Sequence, residues 1–291
     1  MTYTASCFTN HTKNSNSKIQ SALDAIEQAD AILIGAGAGL SDAAGLKYSG
    51  ERFTKNFAPF IAKYKMDDLY SSSFYPFTTE EERWAYWAKH ISVNRYDTPA
   101  TDLYRNLLKL VNCKDHFVIT TNVESQFLKS GFDPQKIFAV QGDYGFLQCQ
   151  KACHTTLYYN EELVLQMIQQ TVDCKIPTAL VPKCPVCGGK MDVNLRKDDH
   201  FVEDENWYAS NERYGQFLEK ACSQKLVLLE LGVGFNTPGI IRYPFEQITY
   251  KYDAVTLIRI NAQHAFGPEE NERKTILFQE DITTIINQLI V

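Results

Sequence analysis

The stretch AILIGAGAGLSDAAGL, residues 31–46, most narrows what this chain can fold into, because an apolar run passes directly into three glycines and then a series of small residues. That pattern predicts a buried strand that turns straight into a helix. A junction of this kind offers bare N–H groups and the positive end of a helix dipole, which attract a pyrophosphate. It equally allows close packing of helix against strand, so the loop alone leaves both roles open. The dinucleotide pattern G-x-G-x-x-G is not met: counted from Gly35 its third glycine falls on Leu40, and counted from Gly37 it falls on Asp42.

Four later apolar runs have the length of buried strands: HFVIT from His116, KIFAV from Lys136, KLVLLEL from Lys225 and AVTLIRI from Ala254. With AILI they predict an α/β protein built on a Rossmann-like parallel sheet. SKIQSALDAIEQAD places Ile19, Ala22, Leu23 and Ile26 on one helical face, with Ser17 as its N-cap. Residues 47–111 carry helical periodicity, as in EEERWAYWAKH and TDLYRNLLKLV, and read as a helical lobe. Trp84 and Trp87 are expected to pack an amphipathic helix on the core, with the lining of an acceptor groove as the alternative. The expected organisation is a sheet domain in three parts, 1–46, 112–145 and 201–291, interrupted by the helical lobe 47–111 and a metal-stapled module 146–200.

Composition excludes some functions. The 29 basic and 35 acidic residues give a net charge of -6, so no broad basic face is expected to neutralise a nucleic-acid backbone. The opening MTYTASCFTNHTKNSNSK is polar throughout, which argues against a signal peptide or membrane anchor and leads us to expect a cytoplasmic protein. Eight cysteines then read as metal ligands or buried thiols in preference to disulfides. Cys149 and Cys153 stand as C-x3-C, and Cys184 and Cys187 as C-x2-C, with 30 residues between the pairs. Two short-spaced thiolate pairs suit a closed, tetrahedral, structural zinc site. The alternatives are four unrelated buried thiols, or His154 as ligand in place of Cys153. Cys7, Cys113, Cys174 and Cys222 fit no pair.

Several colinear stretches resemble the sirtuin family. GAGLSDAAGL (37–46) is similar to its G-A-G-I-S-x-x-x-G-I, TTNVESQFLKSG (120–131) to T-Q-N-I-D-x-L-H-x-x-A-G, and AVQG (139–142) stands where sirtuins carry His-Gly. The pair Ile260–Asn261 resembles the I-N of the adenine-side ribose, and EDI (280–282) the closing G-D segment. The resemblance implies NAD as co-substrate beside the structural zinc. It implies Gly37, Ala38, Gly39, Leu40, Ser41 and Asp42 as the diphosphate loop, Gly232, Val233 and Gly234 as a second phosphate-side loop, and Asn261, Asp281 and Ile282 at the adenosine end. Asn122, with Val123, would hold the nicotinamide ribose, and Glu124 the carboxamide; TTNVES is also readable as a plain helix-start cap.

The departures from the family matter as much. Gln141 replaces the histidine that serves deacylating sirtuins as general base, and an amide cannot collect a proton near neutral pH. I-P-D-F-R becomes LKYSGERF, leaving Tyr48, Arg52 and Phe53 as substitutes. The acyl-lysine strand V-V-x-F-G-E becomes KDDHFVEDENWY, and G-T-S becomes LGVGFNTP. His200 falls in that presumed substrate segment, whereas His90, His116 and His264 have no motif partner. The combination resembles the macrodomain-linked class M sirtuins, which implies mono-ADP-ribosylation of a lipoylated glycine-cleavage H-like carrier protein, with a macrodomain hydrolase acting on the product and Asn122 and Gln141 as the catalytic pair. A protein-lysine deacylase working through water at Gln141, or a non-catalytic module binding NAD or ADP-ribose, are the alternatives.

Overall fold

The computed structural model describes residues 7–8 and 15–290. A short strand β1 (Cys7–Phe8) pairs antiparallel with β10 (Gly267–Pro268); the side chain of Cys7 lies outside the described residues. The main sheet holds β2 (Ala31–Ala36), β3 (Asp115–Thr120), β4 (Ile137–Ala139), β8 (Leu226–Leu231), β9 (Val255–Ile260) and β11 (Thr275–Phe278), in the order β11-β9-β8-β2-β3-β4 and parallel throughout. The five expected strands are all present. The sixth strand, β11 over TILF, is not among the runs the sequence singles out.

The chain winds outward from β2 in one direction and from β8 in the other, so the strand order reverses between these two neighbours. In an open parallel sheet a crevice forms at that reversal, outside the carboxyl ends of the strands. Both faces of the sheet are covered. One carries α1 (Ser15–Gln28), α2 (Ala38–Ala43), α6 (Asp102–Val111), α7 (Gln126–Lys129) and α11 (Ile282–Leu289), whose Ile26, Leu40, Leu107, Phe127 and Ile286 join one apolar cluster with Ile34 and Val118. The other carries α9 (Glu205–Ala221) and α10 (Arg242–Lys251), where Ala221 and Phe245 pack on Leu33 and Leu228. α1 begins two residues before Ser17, which therefore sits inside its first turn, where its carbonyl accepts from Ser21 Oγ at 2.8 Å.

A second body combines α3 (Glu51–Tyr64), α4 (Leu69–Ser72), α5 (Glu80–Ile91) and a π-helical turn at Ser92–Tyr96 with a three-stranded antiparallel sheet. That sheet has the order β6-β5-β7, from β5 (Gly142–Cys149), β6 (Tyr158–Tyr159) and β7 (Met191–Leu195), and is flanked by α8 (Glu161–Gln170). Phe53, Phe57, Trp84 and Ile91 share one apolar cluster with Leu147, Cys149, Met167 and Val193, so the helical segment and the cysteine-bearing segment form one lobe. By the same packing α6 lies under the main sheet although it falls within 47–111, and β5 belongs to the lobe from Gly142 onward. Trp84 and Trp87 are buried, and so are Ala85, Tyr86, Ala88 and His90: α5 runs through the lobe's interior, and these rings line no surface groove.

Behind the sheet lies a charged core. Arg259 Nη2 donates to Glu230 Oε2 at 2.8 Å, its Nε lies 2.7 Å from Oε1 as an ion-pair contact, and its Nη1 meets Glu246 at 2.8 Å. Arg242 lies 4.5 Å from the ring of Phe235 and 4.7 Å from that of Phe266 and donates to the carbonyls of His264 and Phe266. A charge buried this deeply persists only when paired and hydrogen-bonded. The cluster ties β8 and β9 to the loops that follow them.

Candidate functional site

At the reversal point the loops after β2 and β8 interlock through backbone alone. The Gly37 amide donates to Leu231 O and the Gly39 amide to Gly232 O, each at 3.0 Å. A Cβ on Gly37 or Gly39 would come within 2.8 Å of backbone atoms of the second loop. Gly232 adopts φ +62°, and a Cβ there would lie 2.4 Å from Leu40 N. Of the two roles open for the bare loop, close packing thus accounts for Gly37, Gly39 and Gly232. Gly234 has open space around it, and Asp42 and Gly45 are exposed.

Beside this junction β3 ends in a polar cluster. Ser41 Oγ and Tyr104 OH both donate to Glu124 Oε1, at 2.9 and 3.0 Å. Asn122 Nδ2 donates to Gly37 O at 3.0 Å and reaches Tyr104 OH at 3.4 Å. Glu124 is buried, and burial raises its carboxyl above the usual range while the Ser41 and Tyr104 hydroxyls act against that shift. The structure therefore brings together Gly37, Ser41, Asn122 and Glu124. A small cleft of about 40 Å³ opens beside Asn122, Val123, Glu124, Ala139 and Gly142.

Gln141 stands in the turn between β4 and β5, half-buried. Its carbonyl accepts from Arg196 N at 3.0 Å, whereas its side-chain amide has no hydrogen-bond partner among the described residues. The next residue, Gly142, has φ +95°, and a Cβ there would fall 2.0 Å from Asn194 O, so the turn that presents Gln141 needs glycine at this point. Tyr48 is half-buried and hydrogen-bonds Tyr144 OH at 2.7 Å. Arg52 is held by Asn94 Oδ1 at 2.8 Å and Val93 O at 3.0 Å. Phe53 points away, stacked on Phe57 inside the lobe.

The adenosine-side residues have structural roles of their own. Asn261 Nδ2 donates to Val233 O at 2.9 Å while its Oδ1 accepts from the amides of Gln263 and His264, so its side chain shapes the loop. Asp281 caps α11 by accepting from Thr284 N, and Ile282 is buried in the core beneath the sheet. Thr283 Oγ1 reaches Ala43 O at 3.2 Å, which sets this helix start against the end of α2.

All four sulfurs of Cys149, Cys153, Cys184 and Cys187 lie within 4.8 Å of one another. The separations Cys149–Cys187 and Cys153–Cys184 are 3.7 and 3.6 Å, close to the edge of about 3.8 Å for a tetrahedron with Zn–S near 2.3 Å. The four therefore fit zinc with no open coordination position. His154 adjoins the cluster with Nδ1 3.1 Å from Cys153 Sγ, and its Nε2 hydrogen-bonds Tyr158 OH. Cys113 is exposed, Cys174 buried and Cys222 half-buried.

Some residues of the site have no signature in the sequence. Tyr104 reads as one more apolar position of an amphipathic helix, yet its hydroxyl joins Glu124 to Asn122. Gln148 and Asn194 clamp the segment after β7: Val202 N donates to Gln148 Oε1, Asn194 Nδ2 to Val202 O and Gln148 Nε2 to His200 O. The segment 198–204 is thus held by side chains and forms no strand, and the His200 side chain is exposed.

No protein-family model matches the chain. It is 38% identical over 263 residues to a protein ADP-ribosyltransferase of Staphylococcus aureus, covering 90% of this chain and 84% of that one. It is 33% identical over 287 residues to a probable bifunctional ADP-ribose hydrolase/ADP-ribosyltransferase of Fusarium oxysporum f. sp. cubense, covering 91% of this chain and 46% of that relative. In fold it matches a mutant Sir2 homologue in complex with ADP-ribose (TM-score 0.56, 12% identity, 93% of this chain and 94% of that one). It also matches a Sir2 enzyme bound to a propionylated peptide (TM-score 0.58, 15% identity, 94% and 97%). The reversed parallel sheet with its four-cysteine lobe is thus the Sir2 fold, and the Staphylococcus likeness shows that the chain belongs to the family of that protein ADP-ribosyltransferase.

Proposed function

We propose that this chain is an NAD-dependent protein mono-ADP-ribosyltransferase. The observation that carries the reading is Gln141: an uncommitted amide stands where a deacylating sirtuin has its imidazole base, in a chain whose 38% identical relative is named a protein ADP-ribosyltransferase. NAD supplies an anomeric carbon that becomes electron-poor as nicotinamide leaves with the electrons of the C–N bond. An acceptor side chain forms the new bond at that carbon, so a base acting on a ribose hydroxyl is not needed. The protein's task is placement: Asn122 and Gln141 orient the ribose from two loops, and buried Glu124 faces the carboxamide. The cysteine cluster, when it holds zinc, stabilises the lobe that carries Gln141.

For the acceptor we propose a lipoylated carrier protein of the glycine-cleavage H type, and a macrodomain hydrolase as the partner enzyme, on the class M resemblance. The Fusarium relative supports that pairing, since its name joins a hydrolase to a transferase. A cytoplasmic location fits the seven described cysteines, all free thiols. Incubation with labelled NAD and the lipoylated carrier tests the reading. Transfer of label is expected; release of acyl-ADP-ribose would instead make the protein a deacylase, and binding without nicotinamide release a sensor. Asn122→Ala should abolish transfer while NAD still binds, and Gln141→Ala should lower the rate of transfer by about a hundredfold.

A further inference from the structure

His90, which has no motif partner in the sequence, lies in the middle of a hydrogen-bonded chain that starts at the candidate site. Tyr48 OH is 2.7 Å from Tyr144 OH, which is 2.9 Å from His90 Nε2; His90 Nδ1 is 3.1 Å from Tyr86 OH, which donates to Leu69 O at 3.1 Å. The Leu69 amide in turn donates to Tyr48 O at 2.9 Å, so the chain closes on itself. His90, Tyr86 and Tyr144 are almost wholly buried among the aromatic rings of the lobe. Burying so many polar groups is tolerable only when each is satisfied.

The direction of the chain follows from counting protons. A carbonyl only accepts, so the single proton of Tyr86 goes to Leu69 O. Tyr86 must then accept from His90, which places the imidazole proton on Nδ1 and leaves Nε2 with a lone pair. Tyr144 gives its proton to Nε2, and Tyr48 must give its own to Tyr144. The Tyr48 oxygen is left with nothing but lone pairs for any other neighbour.

Tyr48 also adjoins the site, close enough to Glu124, Arg52 and Asp42 for their charges to act on its hydroxyl. It follows α2 by five residues, and the Tyr144 amide donates to Val123 O at 3.0 Å, between Asn122 and Glu124. We propose that His90 is a positioning residue of the NAD site, which acts through Tyr144 to turn the Tyr48 proton toward the lobe interior, so that the Tyr48 oxygen receives a donor group of the dinucleotide, a sugar hydroxyl or an amide N–H. The imidazole stays neutral in this role, because burial and the nearby Arg52 guanidinium hold its pKa down to about 3. It supplies direction, and no proton passes to it.

The inference rests on the NAD-binding reading, and a double-mutant cycle separates the two. In the wild-type background Tyr144→Phe should lower kcat/KM for NAD about tenfold, the scale of one well-placed hydrogen bond. In a Tyr48→Phe background the same change should cost less than about twofold, since the residue it orients is gone. Equal losses in both backgrounds would assign Tyr144 to packing and overturn the proposal; so would no loss in either. If the protein binds NAD without turnover, the transferase reading fails and the same cycle is read on NAD affinity, whereas a wild type that does not bind NAD overturns both. Nitrogen-15 spectra of His90 give a readout independent of the ligand: the Nδ1–H tautomer is expected at neutral pH, and an Nε2–H tautomer or an imidazolium would refute the chain.

Discussion

Replacing Glu124 by Gln isolates what a buried carboxylate costs at the candidate site. The substitution keeps an oxygen to accept from Ser41 and Tyr104 and removes the ionisation. Burial raises the Glu124 carboxyl above its ordinary value, with Asp143 adding to the shift and the two hydroxyls opposing it. The folded protein therefore binds this proton more tightly than the unfolded chain. Its contribution to stability is fully present below the unfolded value near 4.3 and is lost as pH rises through the folded one, by about 1.4 kcal/mol for each unit between them. In a protein of this size about 1 kcal/mol moves Tm by roughly 2–4 °C. The difference in Tm between Glu124→Gln and wild type, followed by calorimetry from pH 4 to pH 8, should thus grow in the variant's favour. His90 runs the other way, its neutral form stabilising above about 6.5 and less as pH falls, but it is common to both proteins and cancels. A difference that stays flat, or that turns toward wild type as pH rises, would show that burial does not raise the Glu124 carboxyl in the folded protein.

Cys184→Ser should lower both bound zinc and Tm, and an unchanged metal stoichiometry by atomic emission would remove the four-thiolate site. Glu230→Gln removes the charge that pairs with Arg259 in the interior and should cost about 3–5 kcal/mol in urea unfolding; a loss below about 1 kcal/mol would mean that the charged core is replaceable. Gly232→Ala forces a Cβ into the backbone of the first loop at positive φ and should cost more than about 1 kcal/mol, together with NAD affinity; a variant with both intact would show that the two loops separate easily.

The sheet was legible because buried parallel strands are continuous apolar runs, and five of the six are long enough to read as such. The paired cysteines were legible because metal geometry fixes short spacings. What escaped depends on contacts between residues distant in the chain. Gly37 and Gly39 left phosphate approach and close packing both open, and what decides for packing is the backbone of Gly232, nearly two hundred positions away. Tyr104 and His90 look like ordinary helix residues until the fold sets Glu124 beside one and Tyr144 beside the other. The boundaries of the helical segment were drawn by periodicity, which reports that a face is apolar and is silent on which core it enters.

The strand β5 begins directly after Gln141 and ends on Cys149, the first of the four thiols. Its ends pair with Leu195 and Met191 at the two ends of the shorter β7, with a bulge between, so the tips stand roughly 14 Å apart. Its far tip is part of the four-cysteine cluster, so the reach of the amide at its near tip is set from that anchorage. Stripping a bound zinc ion should blur the aim of side chain 141 well before the sheet domain melts.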